Sequence, residues 1–258
     1  MRSETKCAIQ AAGIAQQIAD SRRGADIVTS KGGIDLVTNT DLACEDAIRT
    51  ELRRGFPEYP VIGEERGGAP DGQSPYWLVD PICGTRTFAS NIPLYCTNIA
   101  LVEDGEVTIG VVGVGMTGEV FYAERGVGAR RLTGNTEESV QAGDSSNTIW
   151  IDAKTEHSTE VLKRAMLSKR WYIMQFPSGL AYVYAACGRL AGILQFNETA
   201  VSPARKYGSV HAAAGCFIAR EAGAIVRDLN DGNPWLLSTS SFVIAGSQDV
   251  YDELSRLL

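Results

Sequence analysis

Three strand-length stretches, residues 97–103, 107–113 and 119–123, follow one another with only Asp104-Gly105 and Thr117-Gly118 between them. Links that short return a chain only to an adjacent antiparallel strand, so the region predicts a β-meander. Upstream, Tyr76-Trp77-Leu78-Val79 is a short apolar run ending at Asp80-Pro81, which suits a buried strand with an acidic group at its C-terminal end. Other stretches carry helical periodicity. Residues 5–22 bring Ile9, Ala12, Ile14 and Ile18 round near the 3.6 period. After the glycine-containing link Lys31-Gly32-Gly33, Thr40 reads as the N-cap of a second helix that runs to about Arg54 and stops at Gly55 and Pro57.

A polar segment at 135–147 is the candidate boundary between two halves, residues 1–140 and 141–258. The second half predicts a strand at 148–152, a helix at 160–168, two small-residue helices at 179–190 and 210–222, a strand at 242–245 and a closing helix at 250–258. Strands mixed with helices in both halves indicate a layered α/β or α+β fold.

Composition excludes several function classes. With 24 basic and 31 acidic residues the formal charge is −7, which argues against a general nucleic-acid binder. No apolar run approaches the ~20 residues a bilayer span needs, and Met1 to Lys6 leads into no signal-like apolar centre. Six cysteines lie scattered without CxxC pairs, the pattern of free thiols in a cytoplasmic protein. Two histidines, His157 and His211, are too few for a site built from several imidazoles.

Two short motifs point to chemistry. Gly63-Glu64-Glu65 follows Pro60-Val61-Ile62, and Asp80-Pro81-Ile82-Cys83-Gly84-Thr85-Arg86-Thr87-Phe88 follows the apolar run. Gly84 lets backbone approach an anion closely, and a helix starting near Gly84-Thr85 would turn free N–H groups towards a phosphate. Acidic residues beside an anion site make sense when a cation sits between them. The alternative is an Asp-Pro turn with a Gly-Thr cap.

These segments resemble the inositol monophosphatase family, whose signatures are Gly-Glu-Glu and Asp-Pro-Ile-Asp-Gly-Thr-x-Asn-Phe. The resemblance extends to residues 34–41, with Asp41 on the family's catalytic aspartate, to Ala185-Ala186-Cys187-Gly188-Arg189-Leu190, to Ala213-Ala214-Gly215 and to Arg220-Glu221-Ala222-Gly223-Ala224. It implies a five-layer α-β-α-β-α sandwich, magnesium-dependent hydrolysis of small phosphate monoesters, and a homodimer. It also implies that Glu64, Asp80 and the Ile82 carbonyl bind a first metal ion. Asp41 and Thr85 would orient the water, with Glu64 counted among the catalytic groups. The amides of Gly84 and Thr85 would hold phosphate, and Ser178 and Gln195 would face the substrate.

Departures from the pattern are concentrated at the family's second metal position. Its second motif aspartate is Cys83 here, and the aspartate of its C-terminal signature falls on His211. The family's substrate-facing glutamate becomes Gln195, its motif asparagine Thr87 and its tryptophan Val210, and residues 197–206 lengthen the chain before His211. A thiolate and an imidazole serve magnesium badly, whereas Asp80, Cys83 and His211 match zinc, with iron or cobalt as alternatives. The competing reading is a lost second site, with Cys83 filling space and His211 hydrogen-bonding nearby.

Three functions therefore stay open. One is a hydrolase of a sugar, cyclitol, nucleotide or amino-alcohol phosphate. The others are a lyase, cyclase or isomerase using a Cys/His-bound transition metal, and a phosphate-ligand-binding protein without turnover. His157 reads as a surface or capping residue near a helix start. Lys31, Arg205 and Lys206 are weaker candidates for anion contacts, and Cys44, Cys187 and Cys216 fall on apolar helical faces.

Overall fold

The computed structural model describes residues 1–24, 28–32, 35–196 and 209–258. Residues 197–206, with Arg205 and Lys206, and the side chain of Lys31 lie outside what is described. The chain begins with α1 (Ser3–Arg22), a short hairpin of β1 (Val28–Gly32) and β2 (Asp35–Thr38), and α2 (Asn39–Gly55). It continues through β3 (Val61–Gly63), β4 (Tyr76–Cys83), α3 (Thr85–Ala89), β5 (Cys96–Glu103), β6 (Glu106–Val114), β7 (Glu119–Glu124), β8 (Gly128–Thr133) and β9 (Thr136–Val140). These seven strands form one sheet in sequence order, antiparallel except for the parallel β3–β4 pair.

The second sheet takes β10 (Thr148–Ile151), β11 (Tyr172–Met174), β12 (Gly192–Gln195), β13 (Ile225–Asp228) and β14 (Phe242–Ala245) in the order β11-β10-β12-β14-β13. With them go α4 (Glu156–Leu167), α5 (Ser178–Ala186), α6 (Ala213–Glu221) and α7 (Gln248–Ser255).

Three apolar cores separate these elements into five layers. The first packs Ala8, Ala12 and Ala15 of α1 and Ile48 and Leu52 of α2 against Trp77, Val79, Ile99 and Val111. The middle core sets Leu78, Ala100 and Val112 of the large sheet and Ile193 and Ile244 of the small one against α5 and α6. The third covers the far face of the small sheet with Val161 and Ala165 of α4 and Val250 and Leu254 of α7. The architecture is the α-β-α-β-α sandwich. Strand periodicity makes it possible: along β4, Trp77 and Val79 face α1 and α2 while Leu78 faces the middle helices.

Several sequence expectations change in detail. The buried stripe of α1 is alanine, at Ala8, Ala11, Ala12, Ala15 and Ala19, while Ile9 and Ile18 pack only partly. Small side chains let α1 sit close to α2 and the sheet. The N-cap of α2 is Thr38, not Thr40. Thr38 Oγ1 accepts from the Asp41 N–H at 3.2 Å while Asp41 Oδ2 accepts from the Thr38 N–H at 2.9 Å, a capping box that starts the helix one residue before Thr40.

Strand β4 runs through Pro81 to Cys83, because its register with β5 shifts between Asp80 and Cys83. A bulge is where a strand tolerates proline. The polar 135–147 segment contains β9, the last strand of the large sheet, so the passage to the small sheet falls between Val140 and Thr148. Cys44 and Cys216 are buried, whereas Cys187 is partly buried; none of the six cysteines is in a disulfide.

One buried charge cluster holds the loop after β3. Glu45 on α2 has no exposed surface, and its carboxylate accepts from the backbone N–H groups of Glu65 at 2.7 Å and Arg66 at 3.1 Å. Arg49, one helical turn on, donates to Glu45 at 2.8 Å and to the carbonyls of Val61 and Gly67. Gly63 is glycine because a Cβ there would lie 2.0 Å from Glu45 Oε1. Glu45→Ala removes the counter-charge of largely buried Arg49 and the acceptor of two partly buried N–H groups, so denaturant unfolding should show a loss of about 3 kcal/mol. A change below about 1 kcal/mol would mean the cluster does not hold the loop.

Candidate active site

Strand β4 delivers Asp80 to the cleft side of the large sheet with no exposed surface. Asp80 Oδ2 accepts from Asn98 Nδ2 at 3.2 Å, directly across the β4–β5 ladder, and lies 2.6 Å from His211 Nδ1. Among the described residues Asp80 Oδ1 is buried without a hydrogen-bond partner. The Glu64 carboxyl, supplied by the clamped loop, lies nearby, with its Oε2 3.9 Å from His211 Nδ1. Burial pushes the Asp80 carboxyl up to about 7, the neighbouring Cys83 adds to this, and His211 opposes it. Burial works against the charged form of His211, yet Glu64 and Asp80 together hold it well above its ordinary value.

The bulge after Asp80 turns Cys83 to the same side. Asp80, Cys83 and His211 each place one ligand atom within 4.8 Å of the others. Cys83 Sγ lies 4.0 Å from the hydroxyl of Ser178, the first residue of α5. A hydrogen bond from Cys96 is the largest influence lowering the Cys83 thiol well below its usual range, while burial keeps Cys96 well above it. His211 approaches from the turn before α6, which Gly110 admits to the sheet: a Cβ there would meet Ala214 O at 2.7 Å.

Gly84 and Thr85 form the other wall. Gly84 takes φ +106°, and a Cβ there would lie 2.5 Å from Pro177 Cγ, so only glycine fits this turn. The first helical bond of α3 is Phe88 N–H to Gly84 O. The Gly84 and Thr85 amides therefore precede the hydrogen-bonded turns. Thr85 Oγ1 donates to Asp41 Oδ1 at 3.0 Å and to the Ile82 carbonyl at 3.2 Å. Burial pushes the Asp41 carboxyl up to about 7, against the lowering effect of its Thr38 hydrogen bonds.

Glu64, Asp80, Cys83, Ser178 and His211 thus meet at one place, beside Asp41, Thr85 and the Ile82 carbonyl. Gln195 does not join them. It is 1% exposed, with its amide accepting from Tyr182 Oη at 2.9 Å and donating to Asp152 Oδ2 at 2.6 Å, so the structure packs it into the small sheet's own network. His157 lies in the first turn of α4, edge-on to Phe196 and away from the cleft. Thr87 caps its own turn through the Gly84 and Leu94 carbonyls.

Sequence reading missed Glu45, Cys96 and Asn98. Asn98 carried a usable signal, a polar side chain on the cleft face of an otherwise apolar strand. Cys96 and Glu45 did not, because each gains its role only from the neighbour that register or loop geometry supplies.

The donor chemistry sorts into two sets. Glu64, Asp80 and the Ile82 carbonyl are all oxygen, with an unpartnered buried oxygen among them, and so fit magnesium. Asp80, Cys83 and His211 do not form such a set and fit a softer ion.

Comparison with known proteins bears on the whole chain. Nus factor SuhB of Escherichia coli is 30% identical over 245 residues, covering 89% of this chain and 88% of that protein. An inositol monophosphatase of Dictyostelium discoideum is 29% identical, covering 88% and 84%. Among solved structures, an IMPase of Thermotoga maritima superposes with a TM-score of 0.82 at 25% identity, covering 96% of this chain and 94% of its own. SuhB of Bartonella henselae shares the fold with a TM-score of 0.83. The pattern of the inositol monophosphatase family matches residues 1–257, and the chain belongs to that family.

Proposed function

We propose that this family member is a metal-dependent hydrolase of a small phosphate monoester whose second metal position has been rebuilt from Asp80, Cys83 and His211. The observation that carries the reading is the Asp80–Glu64 pair. Both carboxyl groups converge on His211 Nδ1, at 2.6 and 3.9 Å, and among the described residues the other Asp80 oxygen is buried without a partner, an arrangement that calls for a cation.

Glu64, Asp80 and the Ile82 carbonyl would hold magnesium, which when bound supplies positive charge to the phosphoryl oxygens and acidifies a water. The chain's own groups do the rest. Thr85, its hydroxyl proton directed at Asp41, accepts from a water and aims it; Asp41 as carboxylate draws off the proton. The Gly84 and Thr85 amides bind phosphate oxygens, and Ser178 beside Cys83 offers a hydroxyl to the substrate.

At the second position the donor set favours zinc, with iron or cobalt as alternatives. A second reading has its own observation. His211, held protonated 2.6 Å from Asp80, would supply by itself the positive charge of a lost ion.

The substrate class is a sugar, cyclitol, nucleotide or amino-alcohol phosphate. Gln195 is packed away from the cleft, so no acid faces a substrate hydroxyl from that position. The net charge of −7 favours such a small ligand over nucleic acid, although relatives carry the name Nus factor SuhB. Tyr172 and Met174, exposed on edge strand β11, support a homodimer, and six free thiols support a cytoplasmic setting. Among the described residues no helix is long and apolar enough to cross a membrane.

Asp80→Asn should cut magnesium-dependent phosphate release by roughly 10³-fold and weaken metal binding, because Asp80 is common to both metal positions. Full activity in a phosphate-release assay would sink the hydrolase mechanism, and no release by wild type on any monoester would favour a lyase, cyclase or isomerase, or a non-catalytic binder.

Asp41 also predicts a pH effect on stability. Unfolded, it loses its proton near the ordinary 3.8; folded and metal-free, it keeps it to about 7. Its contribution is fully present below about pH 4 and is lost as pH rises to about 7. Melting temperatures in chelator should fall across that window less steeply in Asp41→Asn than in wild type, and parallel curves would contradict the buried acid.

Replacing Cys83 and His211 together by Asp restores a hard donor set. Calorimetric titration should then show preference moving from zinc towards magnesium. Unchanged preference would leave His211 as a fixed charge rather than a ligand.

A further inference from the structure

Cys83 and Cys96 face each other across β4 and β5 as register partners, the last pair of the ladder beyond the bulge at Pro81. Directly opposed residues of an antiparallel pair stand about 4.5–5.5 Å apart at Cα, inside the 4.4–6.8 Å that a disulfide spans. Both side chains turn to the middle core. Cys83 Sγ is 4.0 Å from Ser178 Oγ and within 4.8 Å of a ligand atom of Asp80 and of His211, and Cys96 Sγ is 3.8 Å from Asn98 Oδ1. Cys83 is 5% exposed at the cleft, whereas Cys96 has no exposed surface. The other four cysteines have no cysteine as register partner.

We propose that Cys83 and Cys96 are a modification site, a thiol pair that a hydroperoxide converts into a cross-strand disulfide inside the cleft. The sulfur of Cys83, the one reachable from the cleft, attacks the peroxide O–O bond and becomes a sulfenic acid as hydroxide or alkoxide leaves. The Cys96 sulfur then attacks that sulfur, forming S–S as the sulfenic oxygen departs as water. Two thiols lose two electrons and two protons, and hydrogen peroxide is reduced to two waters. A dithiol reductant reverses the change by exchange.

The position gives this bond a consequence. The Cys83 sulfur sits among Asp80, His211 and Ser178, so oxidation withdraws the thiolate from that cluster. The exclusion of a soft metal by the disulfide rests on the reading of Cys83 as a ligand; the disulfide itself does not.

The test uses the full chain with Cys7→Ser and Cys187→Ser, which removes the two partly buried thiols. It is treated with hydrogen peroxide, alkylated and digested with trypsin. Cleavage after Arg66, Arg86 and Arg125 puts Cys83 alone on peptide 67–86 and Cys96 alone on peptide 87–125. The expected result is a linked 67–86/87–125 species, loss of two free thiols, a mass lower by about 2 Da, and full reversal by dithiothreitol. Cys96→Ala and Cys96→Ser should both lack the link and instead accumulate sulfinic acid at Cys83. Sulfinic acid at Cys83 in the parent, without the linked peptide, would overturn the proposal, as would linkage of Cys83 chiefly to Cys44 or Cys216.

A parallel reaction with saturating zinc separates the two readings. Slower linkage with zinc supports Cys83 as a ligand. Equal rates would remove that role from Cys83, while the linked peptide would still support the disulfide site.

Discussion

At the bulge of β4 a carboxylate has been carried into the interior with no exposed surface. An unpaired buried charge is among the costliest features a fold can contain, so whatever surrounds it must supply donors, opposite charge or a proton. Asn98 provides one donor through strict cross-strand register, and His211 provides charge from a different layer. Among the described residues the remaining oxygen of Asp80 has no hydrogen-bond partner. The large sheet, the helix α6 laid across it and the loop that carries Glu64 all converge on satisfying one acid.

That convergence explains where the fold spends its special residues. The Glu45–Arg49 pair holds the Glu64 loop from beneath, in contact with backbone rather than with the cleft. Gly110 opens the sheet to α6, and Gly84 lets the chain turn sharply under Pro177 so that Thr85 meets Asp41. Asp41 belongs to the capping box of α2 as well as to the cleft, so one carboxylate both starts a helix and addresses Thr85. Local structure and site chemistry share the same atoms, which makes the geometry hard to change piecemeal.

Cys83 and His211 stand beside Asp80 in the same cluster. A thiol and an imidazole beside Asp80 and Glu64 add less negative charge than two further acids would. They also bring sulfur chemistry into the cleft, where the register happens to set a second thiol opposite the first.

The sequence by itself determined the elements and much of the site. Turn residues between apolar runs defined the meander, and the two motifs marked Glu64, Asp80, Gly84 and Thr85, because turns, strand ends and glycine positions are local and leave local signals. His211 was legible only through resemblance, since nothing near it in sequence indicates a partner 131 residues away. Tertiary structure decided the rest. It buried the alanine face of α1 rather than its isoleucines, because close helix packing rewards small side chains over large ones. It withdrew Gln195 into a network with Tyr182 and Asp152, and it gave Glu45, Cys96 and Asn98 their roles. Such roles depend on which residue stands across a ladder or beneath a loop, and that is fixed only when distant segments pack together.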